Sequence, residues 1–249
     1  MYQKERIAMI LNILKENGYV NVKYLCSEIG YSKATINRDL NLMEKQKLVV
    51  RSYGGVELVD NKDISLKFRY HKMKNEKRNI SKVAADIVKD GDVIFVCSGS
   101  TAEYMMYYLL NKKDITVITN NLSVVTYLSD FSNIKTVCLG GEILESPSML
   151  GGDLCIKNIL SYKVDKMFFS THSINDESGE IGVYDKYNLI LSTMVQNSEK
   201  IIYMVDHTKI NIPYKTVCGT VDDVDIVLSD YKFSKKFKEK FKNTEFMEI

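Results

Sequence analysis

From Asp90 onward, short unbroken apolar runs alternate with segments of helical spacing, and this alternation limits the possible folds more than any other feature of the chain. The runs are Val93-Ile94-Phe95-Val96-Cys97, Ile115-Thr116-Val117-Ile118, Thr136-Val137-Cys138-Leu139, Lys166-Met167-Phe168-Phe169, Ile201-Ile202-Tyr203-Met204-Val205 and Ile226-Val227-Leu228. Between them lie helical segments such as Thr101 to Leu110, Leu122 to Leu128 and Leu189 to Asn197. A strand that is apolar on both faces needs cover on both, and intervening helices supply it. The pattern therefore predicts βαβ units and a mostly parallel sheet. Ligands of such open sheets sit beyond the carboxyl ends of the strands.

The residues at those ends share a chemistry. Ser98-Gly99-Ser100-Thr101 follow the first run, Thr119-Asn120-Asn121 the second, Gly140-Gly141-Glu142 the third and Asp206-His207-Thr208-Lys209 a late one. Hydroxyls and free backbone N–H groups that open onto a helix N-terminus make a cradle suited to phosphate. On this reading Ser98, Gly99, Ser100 and Thr101 wrap a phosphate, and Asn120 and Lys209 reach sugar or phosphate oxygens. Gly141 allows close backbone approach. Any one of these loops is also an ordinary Gly/Ser turn; four at successive strand ends favour a binding site.

The N-terminal quarter has a different period. Ile7, Ile10, Leu11 and Leu14 fall on one helical face up to Gly18, a C-cap position; Val22, Leu25, Cys26 and Ile29 mark a second short helix that Gly30 breaks. Ser32 caps a third, whose Ile36, Leu40 and Met43 point inward while Lys33, Thr35, Asn37, Arg38 and Asn41 face out. Leu48 to Tyr53 and Val56 to Val59, with Gly54-Gly55 as the turn, read as a hairpin beside that helix. This is a winged helix-turn-helix pattern for reading the major groove of double-stranded DNA. The expected contacts are Ser32, Lys33, Thr35, Asn37 and Arg38, with Lys47 and Arg51 gripping phosphates. The competing reading is a three-helix bundle that binds protein, but the outward face carries no large apolar residue.

Charge agrees with that division. The whole chain is nearly neutral, at +2, yet residues 1–55 hold nine basic residues against five acidic ones, so the remainder is net acidic. Such asymmetry is expected where one end meets phosphates. Hydrophobic residues at 45% and charged residues at 27% fit an ordinary globular protein, and no apolar run approaches a membrane span. The basic, interrupted N-terminal segment is no signal peptide. Five scattered cysteines without a C-x-x-C spacing and three dispersed histidines, His71, His172 and His207, predict neither disulfides nor a metal site. The expectations are a cytoplasmic protein with no cofactor and no membrane contact.

Residues 60–79, dense in charge and free of Pro and Gly, read as a helical linker between a DNA-binding domain over 1–59 and an α/β effector-binding and oligomerisation domain over 80–249. Near the C-terminus Phe233, Phe237 and Phe241 repeat at four-residue steps, a stripe that docks on the sheet domain or on a subunit neighbour.

Several of these motifs, in this order, resemble the DeoR family of bacterial transcriptional regulators over nearly the full length. They are Ser32 to Leu40, Arg51 with Gly54-Gly55, Glu76-Lys77, Asp90-Gly91-Asp92, Ser98 to Thr101, Thr119 to Asn121, Leu139 to Gly141, and Asp206 to Lys209. The resemblance implies a C-terminal domain similar to ribose-5-phosphate isomerase that binds sugar phosphates and thereby modulates repression of carbohydrate operons, in a protein that pairs copies on related half-sites. It also implies three departures. Cys97 stands where the family usually has Asp, Ser170 to Asn175 replace a Gly-rich segment, and Asn188 and Ser192 stand where Glu and Lys are common. Two alternatives follow from them: a regulator with an effector-blind pocket, and an isomerase-like enzyme. The second is disfavoured because the Ser170 to Asn175 loop carries no carboxylate to move a proton, the nearest being Asp176 and Glu177.

Overall fold

A computed structural model describes residues 2–17, 20–46, 48–52, 55–58, 73–97, 99–144 and 149–249. The chain divides into two compact units, Met1–Lys72 and Met73–Ile249.

In the first unit, α1 (Gln3–Asn17), α2 (Val22–Ile29) and α3 (Lys33–Lys45) surround a core of Ile10, Leu14, Leu25, Ile36, Leu40 and Met43. Each boundary has a local cause. The Asn21 side chain accepts the Tyr24 N–H at 2.7 Å to start α2, and Gly30, left-handed at φ 73°, ends it. Ser32 caps α3 by accepting the Thr35 N–H at 3.3 Å. The expected hairpin is β2 (Val49–Ser52) and β3 (Gly55–Leu58), antiparallel, with Val49 and Val56 buried under the helices. A two-residue strand that the sequence did not announce, β1 (Val20–Asn21), adds to β3. Gly18, Gly54 and residues 60–72 lie outside the described residues.

The second unit opens with α4 (Lys74–Ile87), whose Ile80, Ala84 and Ala85 pack against the sheet. The stretch read as a linker to residue 79 therefore gives up its last seven residues, 73–79, to the second unit, where the buried Lys77 of that first turn bonds Ser100 at 2.9 Å. Seven strands then form one sheet: β4 (Val93–Val96), β5 (Thr116–Thr119), β6 (Lys135–Cys138), β9 (Val164–Phe169), β12 (Ser198–Val205), β14 (Ile226–Ser229) and β15 (Glu245–Glu248). Their order is β15-β14-β12-β9-β4-β5-β6, and every neighbouring pair is parallel. Side chains alternate between faces. Phe95, Ile118, Met167, Phe169 and Tyr203 point to one core; Ile94, Val96, Val117, Phe168, Ile202 and Met204 point to the other.

Helix α4 and α6 (Leu122–Leu128) line the second core; α7 (Gly152–Ile159) and α8 (Asp185–Gln196) line the first. The helix expected from Thr101 to Leu110 is shorter: α5 (Ser100–Glu103) runs into a 3-10 turn at Tyr104–Tyr107. The Phe stripe lies on and beside α9 (Lys235–Lys240), and Phe233, Phe237 and Phe241 are buried in the first core. Short antiparallel pieces complete the unit: β7 (Glu142–Ile143) with β8 (Leu150–Gly151), and β10 (Ser173–Ile174), β11 (Glu180–Val183) and β13 (Thr216–Thr220) in a small sheet.

The two rims of the large sheet differ. At the strand starts, fixed carboxylates tie neighbours together: Asp92 pairs with Lys166 at 2.6 Å, Asp165 accepts the Val93 N–H at 2.7 Å, and Asp225 accepts the Ile201 N–H at 2.7 Å. At the carboxyl ends stand the small hydroxyl and glycine residues. Among the described residues no helix is long and apolar enough to cross a membrane, and no group of three potential metal ligands converges.

Candidate nucleic-acid interface and effector site

In the first unit, α3 turns Ile36, Leu40 and Met43 inward, which leaves Ser32, Lys33 and Arg38 exposed and Thr35 and Asn37 half-buried on the outer side. The expected readers thus share one helix. Ser32 and Thr35 are engaged at the cap, where their hydroxyls also lie 3.0 Å apart. Lys47 lies outside the described residues.

Arg51, expected to grip phosphate, has a partner within the protein. From β2 its Nη1 donates to Asn41 Oδ1 at 2.5 Å and its Nη2 donates to Asn37 Oδ1 at 2.6 Å. Asn41, outward-facing by spacing but not counted among the readers, joins the face through this contact.

Asp39 anchors the same helix from beneath. Fully buried, it accepts Arg6 Nε at 2.6 Å, Arg6 Nη2 at 3.0 Å and Gln3 Nε2 at 2.9 Å. Burial alone raises a carboxyl pKa, but the hydrogen bonds from Arg6 and Gln3 and the Arg6 charge outweigh it and hold Asp39 below the ordinary carboxylate value. Arg6 also lies 4.8 Å from the centre of the Tyr31 ring. No sequence pattern joins Arg6 to Asp39; the only clue was the inward position of Asp39, three residues after Ile36.

In the second unit, Ser98 lies outside the described residues. Gly99, at φ 148°, precedes α5, and a Cβ there would stand 3.5 Å from Ser170 Cβ, so this loop lies against the end of β9. Ser100 accepts the Lys77 ammonium at 2.9 Å, and Ser81 Oγ donates to the carbonyl of the buried Thr101 at 2.5 Å. The first helix of the unit thus fastens the loop from below and brings a buried cation to it. Lys77 was absent from the expected site, although Glu76-Lys77 stood among the motifs of the resemblance.

Asn120 and Gly141 are explained by the protein itself. Asn120 is fully buried and donates to the Leu150 carbonyl at 2.9 Å. A Cβ on Gly141, where φ is 112°, would meet the Gly151 carbonyl oxygen at 2.2 Å, so the close approach expected of a ligand is made by β8. Lys209 is half-buried in the 3-10 turn His207–Lys209, and its N–H donates to the Asp206 carbonyl at 2.9 Å. That turn is capped by buried Asp206, whose Oδ1 accepts the Thr208 N–H at 3.1 Å and the Thr208 hydroxyl; Oδ2 is buried without a hydrogen-bond partner among the described residues.

Beyond Ser170, His172 lies 4.8 Å from the Tyr184 ring, centre to centre. Both line a cavity of about 340 Å³ with Val183, Asp185, Tyr214 and Lys215. The rim therefore offers a hydroxyl loop above a buried amine, and a nearby aromatic recess with charges of both signs.

Residues 6–62 match the DeoR-like helix-turn-helix domain, and residues 72–231 match the DeoR C terminal sensor domain. The HTH-type transcriptional repressor GlcR of Bacillus subtilis (strain 168) is 29% identical over 92% of this chain and 89% of its own length. The lactose phosphotransferase system repressor of Lactococcus lactis subsp. lactis is 30% identical over 97% of this chain and 96% of its own. The glycerol-3-phosphate regulon repressor of Escherichia coli (strain K12) is 27% identical over 92% of each.

Proposed function

Because the chain belongs to the DeoR family of transcriptional regulators, with its helix-turn-helix domain followed by its sensor domain, we propose that it represses a carbohydrate operon and is released from the operator by a phosphorylated sugar. The observation that carries the DNA half is the outer side of α3, where Lys33 and Arg38 are exposed and Asn37 is bonded to Arg51 of the β2–β3 hairpin. Lys33 and Arg38 reach phosphate and base edges, with Ser32 and Thr35 at the helix start. Lys47 adds a phosphate contact. Two copies held by their sensor units bind related half-sites in the cytoplasm.

The Gly99-Ser100-Thr101 loop supports the effector half. There the Ser100 hydroxyl, at the start of α5, accepts the Lys77 ammonium, and a hydroxyl beside a cation suits an oxyanion. Ser98 and Lys209 complete the phosphate shell, and the adjoining recess takes the sugar. The names of relatives that regulate lactose phosphotransferase and glycerol-3-phosphate systems agree with a phosphorylated metabolite. Catalysis is not part of the proposal: the Ser170 to Asn175 loop holds no carboxylate.

The test is a binding assay on DNA upstream of the chain's own gene and its neighbours, repeated with a panel of sugar phosphates. A cognate ligand at 100 times its Kd adds about 2.7 kcal/mol of stability. For a unit of this size that raises Tm by about 5 to 11 °C. If no phosphorylated metabolite shifts Tm or releases DNA, the sensing half is wrong. Retention of DNA binding after Lys33 and Arg38 are both replaced by Ala removes the other half.

A further inference from the structure

A guanidinium carries only hydrogen-bond donors, so any amide it contacts must turn its oxygen toward it. Arg51 contacts two such amides at once, Asn41 through Nη1 at 2.5 Å and Asn37 through Nη2 at 2.6 Å. Both bonds are charge-assisted on the guanidinium side. The two asparagines are one turn apart on α3, about 6 Å along the helix axis, which is close to two base steps of about 3.4 Å. Each amide then has its oxygen committed to the wing and its NH2 group directed elsewhere.

We propose that Arg51 is a positioning residue for base reading: it fixes Asn37 and Asn41 as a pair of hydrogen-bond donors, so that α3 selects base edges carrying acceptors, guanine before adenine. The inference rests on α3 being the DNA-reading helix. Adenine is read by an amide that both donates to N7 and accepts from N6, which requires a free amide oxygen; guanine offers acceptors at both N7 and O6. With the oxygens held by Arg51, the second pattern is satisfied and the first is not. Lysine cannot replace this fork, since its single ammonium lacks the planar pair of nitrogens that spans the two oxygens.

The experiment selects operators from random-sequence DNA with the full chain, first as wild type and then with Asn37→Ala and Asn41→Ala, which mark the positions the two amides read. Anisotropy titrations on operators carrying guanine or adenine at those positions follow, at several salt concentrations, for wild type, Arg51→Lys and Arg51→Ala. Wild type is expected to prefer guanine over adenine on the order of tenfold. Both Arg51 variants should bring that ratio close to one, and Arg51→Lys should retain the wild-type salt slope. A simple phosphate contact gives another result: unchanged base preference, uniform weakening by Arg51→Ala and a salt slope reduced by about one. That outcome overturns the proposal and leaves the DNA-reading role of α3 intact, as does a wild-type preference for adenine at both positions. If the Asn37→Ala and Asn41→Ala proteins select the same sequences as wild type, neither amide reads a base and the proposal fails, while the reading role of α3 stands or falls with Lys33 and Arg38.

Discussion

Gly179→Ala tests the docking of the C-terminal helix on the sheet unit. An added Cβ would fall 2.1 Å from Cζ, 2.7 Å from Cε2 and 2.9 Å from Cε1 of Phe241. The ring has no easy retreat: it is 2% exposed, and its centre lies 4.8 Å from that of Phe237, which in turn stacks on Phe233 at 5.0 Å. Overpacking of this kind costs about 1 to 3 kcal/mol. The left-handed backbone, at φ +84°, adds about 1 to 2 kcal/mol for any L side chain. The lower entropy of the unfolded Ala chain returns about 0.4 to 1 kcal/mol. The net loss is about 1 to 5 kcal/mol, or a drop in Tm of roughly 2 to 18 °C for a unit of this size. Urea unfolding followed by far-UV circular dichroism should show the midpoint fall, and Phe241→Leu in the same chain should recover part of the loss because the obstructing ring edge is gone. An unchanged midpoint for Gly179→Ala, or double-variant losses that simply add, would refute the contact.

Three other outcomes follow from the geometry. The Asp39 carboxyl is held below its ordinary value, so its contribution to stability is complete above about pH 4 and is lost as pH falls through the depressed folded value; Asp39→Asn should lower the Tm of the first unit at neutral pH and flatten its acid limb, and an unaltered limb counts against the Arg6–Asp39 pair. Burial pushes the thiols of Cys155 and Cys218 up to about 11, while Cys138 is exposed, so iodoacetamide at pH 8 should label Cys138 first and reach Cys155 only on unfolding, as read by peptide mass spectrometry. Gly99→Asp puts a carboxylate beside Ser100 and should abolish any sugar-phosphate thermal shift while operator binding persists; equal stabilisation of variant and wild type places the phosphate elsewhere.

The strands that could be read from sequence are those with both faces buried. Val93 to Cys97 and Ile201 to Val205 are unbroken apolar runs because each lies between neighbours in the sheet with a core on either side. Glu245–Glu248 forms the β15 edge, with both glutamates exposed, and gave no such run. Thr216–Thr220 pairs antiparallel in the small sheet and carries Gly219, which reads as a turn. The same limit applies to the sites. Outward spacing on α3 was enough to place Lys33 and Arg38 on its exposed side, because exposure follows from the helix period. The partners of Asp39 and Arg51 were not legible, since contacts over 33, 14 and 10 residues leave no periodic trace. Gly141 shows the converse: a Gly-Gly pair after a strand looks like a ligand loop, whereas the atom that requires it is the Gly151 carbonyl.

The contrast between the two rims of the large sheet bears on how such a protein diversifies. Asp92, Lys166, Asp165 and Asp225 fasten the strand starts, while Ser100, Ser170 and His172 occupy the loops at the other end of the strands. With the effector bound at the proposed carboxyl-end site, a change in the latter group alters what the unit recognises and leaves those inter-strand ties in place; a change in the former loosens the frame whatever the ligand. With the effector at that proposed site, a library aimed at re-tuning the response belongs at Ser170 and His172, and spares Asn120 and Gly141, which hold the same rim together.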